Sequence, residues 1–453
     1  MATHRAPPAA LTAALLLAGC AHWPATPRLE KAGAPGYRFS DVAPAGQADD
    51  LLVFLAFSGG GMRAAALAYG TLEELRRTEV PVHGVPRRLL DEVDVISAVS
   101  GGTLAATYYG LRGEKTFGEF EAKVLSRDLE MELALRIFRP DSWFRLPSGT
   151  FGKSDLFAEL YDQTVFDRAT YADLQRAGGP FVVVQATDVT TGAHFPYTQD
   201  QFDLICADLS KVKLGRAVAT STALPPLLTP ITLENRAGSC GYVEPPWMAA
   251  ADATAAGAET QGRSELQARA RRGATDAAAR PYLHLFDGGL AENLGLNTLL
   301  GGLDILKVSP EAPALARLRR AQKVVVIVVN ALRVPEVDWD RSPAPPGTSD
   351  LQDQMWSIPV DRITLDAVEK AREQLERWKA AGPAAGPGHR EVYLAQVTFD
   401  DLADPAERDR FRKVKTSLAL PKEQVDQLRE VSGRLLRQAP GYKRLLDDLR
   451  AGR

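Results

Sequence analysis

The stretch that most constrains this chain is 93–107, Val-Asp-Val-Ile-Ser-Ala-Val-Ser-Gly-Gly-Thr-Leu-Ala-Ala-Thr. It opens as an apolar, β-branched run, the composition of a buried strand. It closes in small residues that can open a helix. Ser100 sits at the change, with Gly101 and Gly102 directly behind it. A serine on a sharp strand-to-helix turn has its hydroxyl pushed out at the helix N-terminus, and such a turn tolerates only small neighbours. The nucleophile pattern is G-x-S-x-G, and this chain reads Ala98-Val99-Ser100-Gly101-Gly102, with alanine at the first place. Taken alone, these residues equally fit a serine N-cap behind an ordinary strand.

A second strand-to-helix junction lies upstream. The run 51–57 is apolar, Ser58-Gly59-Gly60-Gly61-Met62-Arg63 follows, and 64–75 has helical spacing with one apolar face. Three glycines at a helix N-terminus leave backbone N–H groups pointing at open space, a place for a negative oxygen. In a serine hydrolase it would be an oxyanion hole, and in a nucleotide-binding protein a phosphate loop. Neither the Lys-Ser or Lys-Thr of a P-loop nor the third glycine of a dinucleotide fingerprint is present. Downstream, the short strand 282–286 runs into Asp287-Gly288-Gly289, which by itself reads as a turn.

At these places the chain resembles the patatin-like phospholipase family. The resemblance rests on Gly59-Gly60-Gly61-Met62-Arg63, on Ser100 with its glycines, on the small-residue segment 216–226 ending in Pro225-Pro226, and on Asp287-Gly288-Gly289. It implies an α/β three-layer sandwich with a mostly parallel central sheet, and acyl-ester hydrolysis on lipids without a metal or other cofactor. It also implies a Ser–Asp dyad in place of a Ser–His–Asp triad. By residue match, Ser100 is the nucleophile and Asp287 the base. Gly59, Gly60 and Gly61 form the oxyanion hole with Arg63 beside it, and Gly102, Gly288, Gly289 and Asn293 support them. An acyltransferase on the same dyad, or a silent periplasmic binding lipoprotein on the same fold, are the alternatives. His389 follows Asp287 in the order a triad would need, whereas His83, His194 and His284 read as surface or core residues.

The remaining chain sets context. A net charge of −3 gives no basic excess for nucleic acid, and histidine and cysteine spacing suggests no metal site. Residues 1–20 carry a positive start, a short apolar core and Leu17-Ala18-Gly19-Cys20. The core is too short to span a bilayer. The segment resembles a bacterial lipoprotein signal, which implies lipidation of Cys20, a membrane anchor and a place in the cell envelope, on the outer membrane facing the periplasm. In that oxidising compartment Cys206 and Cys240 can pair as a disulfide or remain free thiols.

The expected organisation is a signal over 1–20, a flexible tether over 21–50, the catalytic domain over 51–335 and a mostly helical C-terminal extension over 336–453. Helices are expected over 117–135, 156–174, 264–272, 351–379 (one or two) and most of 408–449, where Pro421 opens one at its first position. Further strands are expected at 181–187, 323–330 and 391–397. The stretch 136–146 interleaves arginines with Phe138, Trp143 and Phe144, and reads either as a membrane-interface or lid element or as a loop packed on the core. The Ala/Arg/Glu-rich insert 244–280, just before the Asp287 strand, reads either as one wall of the site or, from its charges, as a solvated face.

Overall fold

The apolar runs assemble into one sheet in the computed structural model, which describes residues 25–40, 47–48, 50–245, 261–308, 315–333, 339–343, 345–381 and 390–452. In chain order the strands are β1 (Leu51–Phe57), β2 (Glu79–Val82), β3 (Val85–Arg88), β4 (Val93–Val99), β5 (Phe181–Asp188), β6 (His194–Pro196), β7 (Ile231–Glu234), β8 (Tyr282–Asp287), β9 (Lys323–Asn330) and β10 (Glu391–Thr398). Strands β2 and β3 form a small hairpin, and the others run in the order β10-β9-β1-β4-β5-β8-β7 with β6 beside β5. Pairing is parallel from β10 to β5 and antiparallel at β6, β8 and β7. Parallel strands are covered on both faces. Accordingly β1, β4 and β5 are buried at every position, and β9 at all but Lys323.

The helices that matter for the site are α1 (Gly61–Arg77), α2 (Gly102–Arg112), α3 (Leu129–Ile137), α4 (Pro140–Arg145), α5 (Lys153–Thr164), α6 (Leu214–Ser221), α7 (Thr348–Ala380), α8 (Lys422–Gln438) and α9 (Pro440–Arg450). Helices α1 and α2 follow β1 and β4 directly, so each begins where a buried strand ends. Helix α8 crosses α1 closely at Gly70, where a Cβ would stand 2.4 Å from the Arg429 carbonyl oxygen. The hydroxyls of Thr71 and Ser432 meet there at 2.8 Å. The described part of 336–453 is mostly helical, and it also adds β10 to the edge of the sheet beside β9.

Several elements differ from the sequence expectation. The helix expected over 117–135 breaks after Leu125, because Asp128 caps a new start by accepting from the Met131 N–H at 2.8 Å. The helix expected over 156–174 stops at Thr164, turns through Asp167 and Arg168 with positive φ, and restarts at Tyr171 behind the Thr170 cap. Pro421 precedes α8 and does not occupy its first position. The stretch 136–146 contains α4 where a loop was one of the readings. A helix covers Gln261–Ala274, and 246–260 of the insert lies outside the described residues.

Residues 25–40, expected as part of a flexible tether, are packed on the body. The Leu29 N–H donates to the Cys206 carbonyl and the Ala32 N–H to the Cys240 carbonyl, each at 2.9 Å. The Tyr37 hydroxyl accepts from the Val182 N–H of β5 at 2.7 Å, and Arg38 pairs with Asp203 at 2.6 Å. Apolar side chains explain the docking, since Leu29 and Tyr37 are both buried. Cys206 and Cys240 form a disulfide beneath Leu29. Cys20 lies outside the described residues. Among those described, no helix is long and apolar enough to cross a membrane.

Candidate active site

At the end of β4 the chain turns so sharply that Ser100 takes a φ of +48°. A non-glycine residue there is strained by about 1–3 kcal/mol and needs its surroundings to hold it. They do so from two sides. Ser221, at the end of α6, accepts the Ser100 N–H at 2.8 Å and donates its own hydroxyl to the Gln185 carbonyl at 2.5 Å. Gly101 abuts the neighbouring turn, for a Cβ there would lie 2.0 Å from the Gly61 carbonyl oxygen. Ala98, which replaces the first glycine of the serine pattern, is an ordinary buried strand residue paired with Phe57 and Val184. The turn therefore forms without a glycine at that place.

Asp287 ends β8, one strand beyond β5. Val99 pairs with Gln185 and Ala186 pairs with Asp287, so one strand separates the two ends. The Ser100 hydroxyl donates to Asp287 Oδ2 at 2.8 Å, and the Gly289 N–H donates to Oδ1 at 2.8 Å. Thr187 fixes the backbone by donating to the Asp287 carbonyl at 2.7 Å. Full burial pushes the Asp287 carboxyl up to about 6, against the lowering pull of the Gly289 amide and the Ser100 hydroxyl.

In the glycine loop, Gly60 and Gly61 have φ of +135° and +59°. The N–H of Gly59, expected among the oxyanion donors, is turned away: it donates to the backbone carbonyl of Asn293 at 3.1 Å and to its side-chain oxygen at 3.2 Å. The N–H groups of Gly60 and Gly61 make no hydrogen bond to a described residue, as befits the first positions of α1. Gly60 and Gly61 thus keep N–H groups without a described acceptor, while Gly59 and Asn293 brace the loop.

Arg63, expected beside the oxyanion hole, is fully buried and spent on the C-terminal part of the chain. It donates to the Ala331 carbonyl at 2.8 Å, to the Val414 carbonyl and to the Thr416 hydroxyl at 3.2 Å. The Met62 N–H donates to the Ser417 carbonyl at 2.7 Å. Residues 414–417 therefore strap the glycine loop down. Burial, then the charge of Arg333, push the Arg63 guanidinium down to about 9, with Asp361 opposing.

These turns face a cavity of about 360 Å³. Gly59, Gly60, Ser100, Asp287 and Asn293 lie on one side, and Leu224, Leu227, Leu290 and Val360 supply apolar wall. Arg333, Asp361 and Thr416 line it from the C-terminal third of the chain. Gly102 and Gly288 permit close backbone approach, since a Cβ at either would stand within 2.6 Å of a carbonyl oxygen. No described histidine lines the cavity: His284 is bonded to Thr232 at 2.9 Å on the outer part of β8, and His194 lies in β6. His389 falls outside the described residues. No group of His, Cys, Asp and Glu side chains suited to a metal occurs among the described residues.

Sequence reasoning missed Ser221, Arg333, Asp361 and the 414–417 strap. Ser221 had a signal in the small-residue segment before Pro225. The others lie far along the chain in stretches without a local motif.

The family model for patatin-like phospholipase matches residues 55–300, which hold the glycine loop, Ser100 and Asp287. No curated protein matches the chain. Among solved structures, human GIVD cytosolic phospholipase A2 gives a TM-score of 0.43 at 13% identity, over 89% of this chain and 63% of that one. VipD from Legionella pneumophila gives 0.28 at 13% identity, over 90% of this chain and 71% of that one. The chain thus spans a little under two thirds of the length of the human structure.

Proposed function

The chain belongs to the patatin-like phospholipase family, and from that premise we propose that it is a lipid acyl hydrolase working through Ser100 and Asp287. The observation that carries the reading is the 2.8 Å contact between the Ser100 hydroxyl and Asp287 at the cavity wall. Ser100 Oγ attacks the ester carbonyl carbon while its proton passes to Asp287 Oδ2. The carbonyl electrons move onto oxygen, and the Gly60 and Gly61 amides hold that charge. Collapse breaks the ester bond, and the Asp287 carboxyl returns the proton to the leaving alkoxide. Water, deprotonated by Asp287, then cleaves the acyl-enzyme and restores Ser100.

Asp287 suits both halves of the cycle. With its pKa pushed up to about 6, it is ionised at neutral pH yet holds a proton better than an exposed aspartate. The apolar wall of Leu224, Leu227 and Val360 favours an acyl chain over a polar one. A phospholipid or lysophospholipid ester is the substrate class we assign. We further assign Cys20 as the lipidated anchor, with the catalytic body on the periplasmic side of an outer membrane. The Cys206–Cys240 disulfide is compatible with that oxidising compartment.

A fluorophosphonate probe and product analysis on mixed phospholipid, lysophospholipid and acylglycerol test the reading. Labelling of wild type and not of Ser100→Ala, with free fatty acid released, is the expected result. Labelling at another residue, or no fatty acid from any lipid, would refute it.

A further inference from the structure

The core accounts for most apolar side chains, but a group of large ones is left outside. Phe138, Trp143 and Phe144 on α3–α4 are 72%, 61% and 63% exposed. Met131 and Leu135 continue this face, at the i, i+4, i+7 spacing with Phe138. Met355 and Ile358 are exposed on α7, whose Ser357, Val360 and Asp361 line the cavity. Leu227, which also lines the cavity, is 64% exposed.

These segments meet at the cavity rim. Glu130, in the first turn of α3, accepts the Leu418 N–H at 2.8 Å, two residues from the cavity-lining Thr416. Beyond α4, Ser154 donates to the Thr229 carbonyl at 2.5 Å, two residues from Leu227. The start of α3 and the start of α5, which bracket the hairpin, are thus tied to segments that line the cavity. On this hairpin Glu132 pairs with Arg127 and Asp141 with Arg139, and Arg145 of α4 pairs with Glu159 of α5. At the cavity wall Arg63 and Arg333 balance Asp287 and Asp361, and Arg333 makes no ion pair with a described residue.

We propose that α3–α4, the outer stripe of α7 and the Leu227 loop form a lipid-surface docking face that seats the cavity mouth on a bilayer. The choice of occupant rests on the lipid acyl hydrolase reading of the adjoining site. Aromatic rings prefer the headgroup level, and a neutral face with exposed Phe and Trp inserts without needing a strongly charged membrane. The Arg333 guanidinium at the cavity wall complements the phosphate of a headgroup drawn towards the ester-cleaving groups. The face and the cavity then act as one continuous surface, so that a lipid slides from the bilayer into the cavity without crossing water.

The test uses the full chain carrying Cys20→Ser, so that no acyl anchor contributes, and Ser100→Ala, so that binding is read without turnover. The probe is vesicles of phosphatidylcholine with phosphatidylglycerol. Combining Phe138→Ser, Trp143→Ser and Phe144→Ser should weaken vesicle partition by about tenfold or more. In chains that keep Ser100, the combined variant should lose vesicle hydrolysis and retain the rate on a water-soluble p-nitrophenyl ester. Quenching of Trp143 fluorescence by brominated lipid, lost in Trp143→Phe, locates the ring in the bilayer. Unchanged partition in the combined variant, or no quenching of Trp143, would overturn the proposal. So would a dimer in sedimentation velocity that the combined variant splits, since the face would then belong to a second copy. Failure of the soluble-ester assay in wild type would count against the hydrolase reading and leave the partition result standing.

Discussion

The turns after β1 and β4 begin alike and end differently. Both leave a buried parallel strand, pass through glycine and open a helix, and they touch where Gly101 abuts Gly61. The β4 turn delivers a side chain, and its chemistry is written at one residue, Ser100. The β1 turn delivers backbone N–H groups, and which of them are available is decided by remote partners: Asn293 takes that of Gly59, and Ser417 takes that of Met62. A side-chain site can be read from its own motif, whereas a backbone site can be read only once its partners are known.

The comparison is sharpest at the serine. Ser100→Ala should lower kcat/KM by on the order of 10⁴. Ser100→Gly should be equally inactive and more stable, by about 1 kcal/mol, because glycine carries no strain at a φ of +48°. Chemical denaturation of the two variants checks this. A glycine variant less stable than the alanine one would mean that the turn stores no strain.

Asp287→Asn should cost activity by about 10³ or more and raise stability at neutral pH. Asp287 has its folded pKa raised by burial to about 6, above the ordinary value near 4. The folded protein therefore binds more protons than the unfolded chain between about pH 4 and 6, and the Asp287 contribution worsens as pH rises through that window. Above it the burial cost reaches about 3 kcal/mol, which Asn avoids. Thermal melts at pH 8 should favour the variant, with the advantage gone at pH 4. The acid limb of kcat/KM should fall near pH 6, where an imidazole would also titrate. It should persist in His284→Ala and in His389→Ala, and loss of the limb in either would give the proton to histidine.

The backbone turn should respond more gently. Gly60→Ala, at a φ of +135°, should lower kcat by about 10² with little change in KM. Equal activity would place the oxyanion elsewhere. Arg63→Lys should cost about tenfold in activity, because an ammonium cannot span the carbonyls of Ala331 and Val414 as the guanidinium does. The same variant should make 414–417 more open to proteolysis. Intact protection there would show that the strap holds without Arg63.

The same distinction separates what was legible in the sequence from what was not. The runs at 51–57, 93–99, 181–187 and 323–330 announce their strands because a strand buried on both faces must be apolar throughout. Ser100 and Asp287 stood out because each sits between a strand and glycines. Arg333, Asp361 and 414–417 carry no local pattern, and their place in the cavity depends on β9 and β10 extending the sheet and α7 reaching across it. The docking of 25–40 was hidden for a similar reason, since Pro- and Gly-rich sequence looks like a linker until Tyr37 finds β5. The helix break near 126 turned on a single cap, Asp128, against otherwise continuous helical spacing.

That docked segment sets a length. The Thr26 hydroxyl accepts the Glu234 N–H at 2.8 Å and its carbonyl accepts from Arg236 at 2.7 Å, so the chain is fastened to the body at residue 26. On the proposal that Cys20 is lipidated, only residues 21–25 would separate the anchor from this fastening, a span of no more than about 20 Å when fully extended. A leash running freely to residue 50 would let the enzyme sweep a broad volume above the bilayer. A span of five residues would keep it moored within a molecular radius of the proposed lipid, where the effective concentration of substrate is set by the membrane itself.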